Sequence, residues 1–265
     1  MMILLIVLLT FGCIALAVMS VYWLVVRPAS VVNAQLESAD PSLVLIGGAD
    51  HKTGYPGDER LRFEELENYA ARRFAVRGIE QRWSAQYYAP ADGLPHIGRV
   101  PGSDNLFMAT GFAGTGLTWG TVAGSLIARM ILGQRHPLED ILNPGRLTLM
   151  ASTGEMVAEN LDVIRRFAVD RFTAPHSSED EIAPGSGRVI TQHGRMQAIY
   201  RDASGDLHRF SPVCTHAGCI VHWNEAEQTW DCPCHGGRFT AHGQRFAGPP
   251  ARDLAVERGA SEREA

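Results

Sequence analysis

The sequence has no excess of basic charge: Lys and Arg total 24 against 29 Asp and Glu, for a net charge of −5 at pH 7. The broad positive footprint of a polyanion-binding chain is therefore missing, and no nucleic-acid partner is expected. Apolar residues are not scarce, and 45% hydrophobic with 20% charged excludes a disordered or fibrous chain. The sharpest local absence is at the N-terminus, where Met1 to Val26 carries no charged side chain and Arg27 is the first.

Within Met2 to Val26 the polar side chains are Thr10, Ser20, Tyr22 and Trp23. As a helix this stretch would reach about 37 Å, more than the roughly 30 Å thickness of a bilayer's hydrocarbon core. It has no basic leading segment and is longer than the roughly 7 to 15 residue apolar region of a signal peptide. Residues 1–27 are therefore expected to be a single transmembrane helix. Tyr22 and Trp23 would form its interfacial belt, and Arg27 would keep the following chain at the cytoplasmic face. Cys13 reads as a small hydrophobe in that helix. A cytoplasmic protein is the alternative.

Residues 28–42 are polar and read as a linker. Leu43 to Ile46, ahead of Gly47 and Gly48, predicts a short buried strand. From Leu61 to Phe74, apolar Phe63, Leu66, Ala70 and Phe74 recur at helical spacing, with Asp58 upstream as a cap. Leu106 to Ala109 predicts a strand, followed by a glycine loop from Thr110 to Gly116 and a helix to Leu132. Gly116, Gly120 and Gly124 leave one face of that helix bare, which suits another backbone or a cofactor. A third helix is expected from Ser152, with Glu155 at capping-box spacing and Val157, Leu161, Ile164 and Ala168 on one stripe, ending near Phe172.

Residues 173–187 hold Pro175, Pro184 and the acidic run Glu179, Asp180, Glu181, a solvated linker by composition. Beyond them Val189 to Thr191, Met196 to Tyr200 and Leu207 to Phe210 predict strands separated by turns. The expected fold class is α+β, with a mixed α/β region over 43–172 and a small antiparallel β domain over 188–265. An incomplete α/β region leaves sheet edges and apolar faces uncovered, so residues 43–172 are expected to be the proteolytically weak part.

Four of the five cysteines crowd into 21 residues. One group is Cys214, His216 and Cys219; the other is Cys232, Cys234 and His235, with 15 residues between His216 and Cys232. Two cysteines and two histidines can hold zinc tetrahedrally, or a [2Fe–2S] cluster with both cysteines on one iron and both histidines on the other. A Cys₂His₂ zinc site has no use for the two remaining cysteines, whereas a cluster between two loops gains from a covalent clasp. His51, His96, His136, His176, His193, His208, His222 and His242 show no ligand spacing and read as surface or satisfied polar residues, His222 among them although it lies close to a ligand candidate in sequence.

The pattern resembles the disulfide-bearing type of Rieske [2Fe–2S] domain. That resemblance implies Cys214 and Cys232 as thiolate ligands, His216 and His235 as imidazole ligands, and a Cys219–Cys234 disulfide. Gly248, Pro249 and Pro250 look like the proline loop that covers the cluster in that family. High-potential members carry serine after the second histidine motif where this chain has Gly237. A potential in the lower or middle part of the Rieske range is therefore expected.

Gly47 to Gly54, Arg82 to Gln86 with Asp92 to Gly98, and Ala109 to Thr118 resemble the C-terminal half of a D-amino-acid-oxidase-like FAD-dependent oxidoreductase that ends in a Rieske domain. That implies a glycine loop closing over flavin, with Gly111, Gly114, Gly116 and Thr118 on the cofactor side. The G-x-G-x-x-G fingerprint of the dinucleotide half does not occur in the sequence. Flavin binding would then need a separate chain. The expected function is electron transfer through a [2Fe–2S] cluster, as part or remnant of an FAD-dependent oxidoreductase, with a redox protein as donor or acceptor. The alternative is the Rieske subunit of a membrane cytochrome bc-type quinol-oxidising complex.

Overall fold

A computed structural model of the chain describes residues 16–28, 43–55, 57–146, 149–192 and 194–257. In chain order the elements are β1 (Leu16–Pro28), β2 (Val44–Lys52), α1 (Arg60–Arg73), β3 (Val76–Pro90), β4 (His96–Arg99), β5 (Phe107–Thr110), α2 (Gly116–Ile131), α3 (Leu138–Ile141) and α4 (Leu149–Thr173). A 3₁₀ turn (Glu179–Glu181) follows, then β6 (Ser186–Gln192), β7 (Arg195–Arg201), β8 (Leu207–Phe210), β9 (His222–Asn224), β10 (Thr229–Asp231), β11 (Arg238–Thr240) and β12 (Arg245–Ala247).

The expected transmembrane helix is corrected over its second half. Leu16–Pro28 is a strand, the middle one of a three-stranded sheet ordered β2-β1-β3. Its composition, with Val18, Val21, Tyr22, Trp23, Val25 and Val26, is that of a strand former. A strand in the interior of a sheet reads as a continuous apolar run, which periodicity does not separate from a helix. Among the described residues no helix is long and apolar enough to cross a membrane. Met1 to Ala15, Cys13 included, lie outside the described residues, as do residues 29–42 of the expected linker.

The chain forms two compact units. Of the described residues, one contains those from Leu16 to Met19 and from Gln86 to Asp162; the other contains those from Ser20 to Ala85 and from Val163 to Glu257. In the first, β4 and β5 form a hairpin with His96 opposite Thr110 and Arg99 opposite Phe107. Ile97, Ala123, Leu126 and Leu142 make its core, and a buried Arg146–Asp92 ion pair at 2.7 Å ties the segment after α3 to the turn before β4. The glycine-bare stripe of α2 is open, because a Cβ at Gly120 or Gly124 would meet nothing within 4 Å among the described residues.

In the second unit α1 packs Phe63, Leu66 and Ala70 on Val44 and Ile46 of β2. Full burial of side chains such as Phe63 and Leu66 stabilises by roughly 1.5–3 kcal/mol each. The helix starts one residue earlier than its periodicity suggests; Asp58 accepts from the Arg60 backbone N–H at 3.1 Å, while Glu59 stands at the N-cap with no side-chain cap bond. The C-terminal region is antiparallel as expected: β6-β7-β8 make one sheet and β12-β11-β10-β9 the other. Tyr200, Phe210, Val221, Trp230, Phe239 and Leu254 fill its core together with Cys214, Cys219 and Cys232.

Candidate metal centre

Two loops from this β region carry the cysteine and histidine groups, and they are built alike. In the first, the Cys214 N–H donates to the Cys219 carbonyl at 2.8 Å and the Gly218 N–H to the Cys214 carbonyl at 3.0 Å. In the second, the Cys232 N–H donates to the Gly237 carbonyl at 2.7 Å and the Gly236 N–H to the Cys232 carbonyl at 3.0 Å. Gly218 and Gly236 close these turns with φ of +85° and +65°, a region that other residues enter only at a cost.

Folding the loops this way turns backbone N–H groups onto sulfur. Cys214 Sγ accepts from the N–H groups of His216 and Ala217, and Cys232 Sγ from those of Cys234 and His235. Such bonds favour thiolate over thiol, the form that binds metal. The two thiols are free, buried and hydrogen-bonded to each other. That bond is the main force holding Cys214 down to about 7 and pushing Cys232 up, with burial adding to the rise at Cys232.

The histidines complete the donor set. The rings of His216 and His235 stand edge to face with centroids 4.8 Å apart. Burial lowers both below the usual histidine range; His235 falls to about 4, with the charge of His216 as a second cause. Both are thus neutral at pH 7, the ligand form of imidazole. The remaining cysteines, Cys219 and Cys234, are joined as a disulfide with Cα atoms 6.4 Å apart, fastening one loop to the other. Two buried thiols with N–H donors and two neutral imidazoles suit the two unequal irons of a [2Fe–2S] centre.

Gly248 has φ +83°, and a Cβ there would lie 2.4 Å from the Gly236 carbonyl oxygen and 2.9 Å from Gly237 Cα, so the segment through Pro250 lies directly on the second loop. A Cβ at Gly237 would come within 2.7 Å of Pro250 Cγ and 3.3 Å of Cys214 Sγ. Thr215 Oγ1 donates to the Arg252 carbonyl at 2.6 Å, pinning the first loop to the chain beyond that segment.

An FAD dependent oxidoreductase family model matches residues 19–130, and a Rieske [2Fe-2S] domain model matches residues 173–257. A cytochrome b6-f complex iron-sulfur subunit from Trichormus variabilis is 30% identical over 151 residues, which are 55% of this chain and 75% of that protein. The chain belongs to the Rieske iron–sulfur proteins. A second Rieske relative, the Bacillus subtilis (strain 168) 2Fe-2S iron-sulfur protein YhfW, is 35% identical over 213 residues, covering 80% of this chain and 42% of its own length. The chain thus spans about two-fifths of that relative. Among solved structures, the plasma membrane Rieske protein PetC3 from Synechocystis PCC 6803 is 33% identical over 27% of this chain and 74% of its own, with a TM-score of 0.25. A Rieske [2Fe–2S] domain match thus stands beside an FAD-oxidoreductase-like region in the same chain.

On the flavin side, Gly111 and Gly114 adopt φ of +77° and +82°, and Ala113 is held at +46° between them. A Cβ at Gly111 would meet Pro90 Cγ at 2.6 Å. Gly116 and Thr118 open α2, whose first turn carries no acidic side chain and whose N-cap, Thr115, makes no side-chain cap bond. This helix start suits an anion, while the sequence holds no G-x-G-x-x-G segment.

The other histidines divide. His222 Nε2 pairs with Asp170 Oδ2 at 3.0 Å and His208 Nε2 with Asp202 Oδ2 at 2.9 Å, both as satisfied polar residues. His96 departs from expectation, because it is 7% exposed and its Nδ1 has no hydrogen-bond partner among the described residues. Residues that sequence reasoning missed surround the loops. Gly54, with φ +71°, approaches so closely that a Cβ would lie 2.7 Å from the Cys232 carbonyl carbon and Pro233 N. Arg238 and Asp231 flank the second loop, and their opposite charges on either side of Cys232 to Gly237 were the available signal.

Proposed function

We propose that Cys214, His216, Cys232 and His235 hold the [2Fe–2S] cluster of this chain and that its work is to pass single electrons for an FAD-dependent oxidation. The observation that carries this reading is the pair of buried sulfurs, each receiving two backbone N–H bonds, beside two histidines kept neutral by burial. When bound, the cluster takes up and releases one electron at a time. The protein's part is to hold the thiolates by N–H donation, to present the imidazoles in their neutral form, and to keep the loops together through Cys219 and Cys234. The Gly248–Pro250 segment screens the second loop from water. Electron paramagnetic resonance of the whole chain, purified without oxygen and reduced with dithionite, tests it. A rhombic signal lost on Cys214→Ser and Cys232→Ser is expected; no iron signal in the parent protein overturns it.

Gly111, Gly114, Gly116 and Thr118 are the flavin-facing residues of this proposal. The dinucleotide half is supplied from outside this sequence, and the division into an oxidoreductase-like part over 43–172 and a Rieske part over 188–265 follows the same reading. Yellow colour co-purifying with a second chain supports it.

The second reading is a Rieske subunit of a quinol-oxidising complex, favoured by the match to the cytochrome b6-f subunits. Oxidation of a quinol by a membrane complex containing this chain distinguishes it. Attachment to the cytoplasmic face of a membrane rests on the charge-free run from Met1 to Val26, and the strand over Leu16–Pro28 opposes it. Sedimentation of the chain with membranes after a carbonate wash decides between them.

A further inference from the structure

Helix α4 ends against the first ligand loop. Phe167 Cε2 comes within 3.5 Å of where a Gly218 Cβ would stand, Arg171 Nη2 donates to the Gly218 carbonyl at 2.5 Å, and Asp170 takes a hydrogen bond with His222 just beyond the loop. Most of this helix, including Phe167, Asp170 and Arg171, lies between the segments matched by the two family models, which end at 130 and begin at 173. Arg171 thus lies outside both matched segments.

Arg171 is fixed on three sides. Its guanidinium carbon stands 3.7 Å from the centroid of the Phe167 ring, Nη1 donates to the Phe167 carbonyl, and Nη2 holds Gly218. A planar guanidinium keeps its charge at every pH a protein survives, and stacked on an aromatic ring it keeps its position. The loop it touches carries Cys214 and His216. Reduction adds one negative charge to whatever those ligands hold. A fixed positive charge at the loop favours the reduced state, more so where water is partly excluded.

We propose that Arg171 is a positioning and tuning residue for the cluster: through Gly218 it fixes the first ligand loop, and its charge raises the cluster's reduction potential. This rests on the cluster assignment given above. Redox titration of the whole chain, followed by electron paramagnetic resonance, tests it with Arg171→Lys, Arg171→Gln and Arg171→Glu. The expected order follows charge: the lysine variant close to the parent, glutamine lower, glutamate lowest, with the differences shrinking as salt is raised. A purely structural role would rank the variants by fit and leave no salt dependence. Arg165→Gln, an exposed change on the same helix, is expected to leave the potential unchanged. If the parent shows no cluster signal, the assignment of the site falls. If it shows one and the potentials of the lysine and glutamate variants coincide, this inference alone is overturned. Should the glutamate variant lose its iron, the lysine and glutamine pair decides by the same criterion.

Discussion

Arg238 and Asp231 face each other across the neck of the second ligand loop, Nε to Oδ1 at 2.9 Å, where β10 and β11 pair the two residues directly. The guanidinium also reaches Glu227 at 2.6 Å, Thr229 Oγ1 at 3.0 Å and, through Nη1, Ser84 Oγ of β3 at 3.0 Å. Arg238 is 2% exposed, so its charge is out of water and depends on these partners. Removing one member of a buried pair strands the other. Arg238→Ala is expected to destabilise the protein by about 3–5 kcal/mol. Arg238→Met also strands Asp231 and Glu227 but keeps the packing volume, so its loss should be smaller. Urea unfolding of the two variants checks this; equal midpoints would mean that packing contributes nothing at this position.

Glu59 gives the pH dependence. Burial raises its carboxyl to about 7, and the charges of Asp231, Asp58 and Glu227 push the same way. An acid whose folded pKa lies above its unfolded value contributes stability that is complete below the unfolded pKa, near 4.5, and is lost as pH rises through about 7. Glu59→Gln removes the ionisable group. The variant should outlast the parent in urea at pH 8, and the gap should narrow as the pH falls and close only below about 4.5. A gap that widens at low pH would show that the carboxylate is stabilising and that this sign is wrong.

Gly54 is a backbone constraint on the centre. With φ +71° and no room for a Cβ beside Cys232 and Pro233, Gly54→Ala must part the turn from the second loop or strain both. The expected result is faster loss of iron to a chelator, with little change at the first loop. Unchanged iron retention would mean that the loop tolerates the shift.

The pairing of the two cysteine–histidine loops was legible because the motif is local: six residues within 22 positions carry it. Strands β6 to β8 were legible from their short β-rich runs between turns. β3 was not, since most of Val76–Pro90 is exposed or half-buried and shows no alternation. β1 was misread because an apolar run without period looks the same in a sheet interior as in a helix. The contacts that hold the loops, Gly54 on Cys232 and Arg171 on Gly218, join residues 178 and 47 positions apart, and no pattern of residue types announces them. The exposed stripe on α4 is a subtler case. Val157, Leu161 and Ile164 were expected on one face, and they are, but that face is more than half exposed at each of the three.

This distribution of apolar surface carries the last expectation. Among the described residues, 19 large hydrophobic side chains are exposed; 16 lie between Leu61 and Phe172, and Val213, Phe246 and Val256 belong to the β region after it. Open apolar surface on helices and sheet edges marks low local stability or a missing cover. Brief digestion with a broad-specificity protease should therefore cut first between residues 43 and 172. It should leave a resistant fragment beginning near Thr173 that retains the Cys219–Cys234 disulfide. Arg171 and Phe167 would leave with the severed helix, so the fragment's cluster should titrate at a lower potential than that of the whole chain. Uniform resistance across 43–172 would show that this surface is covered in solution.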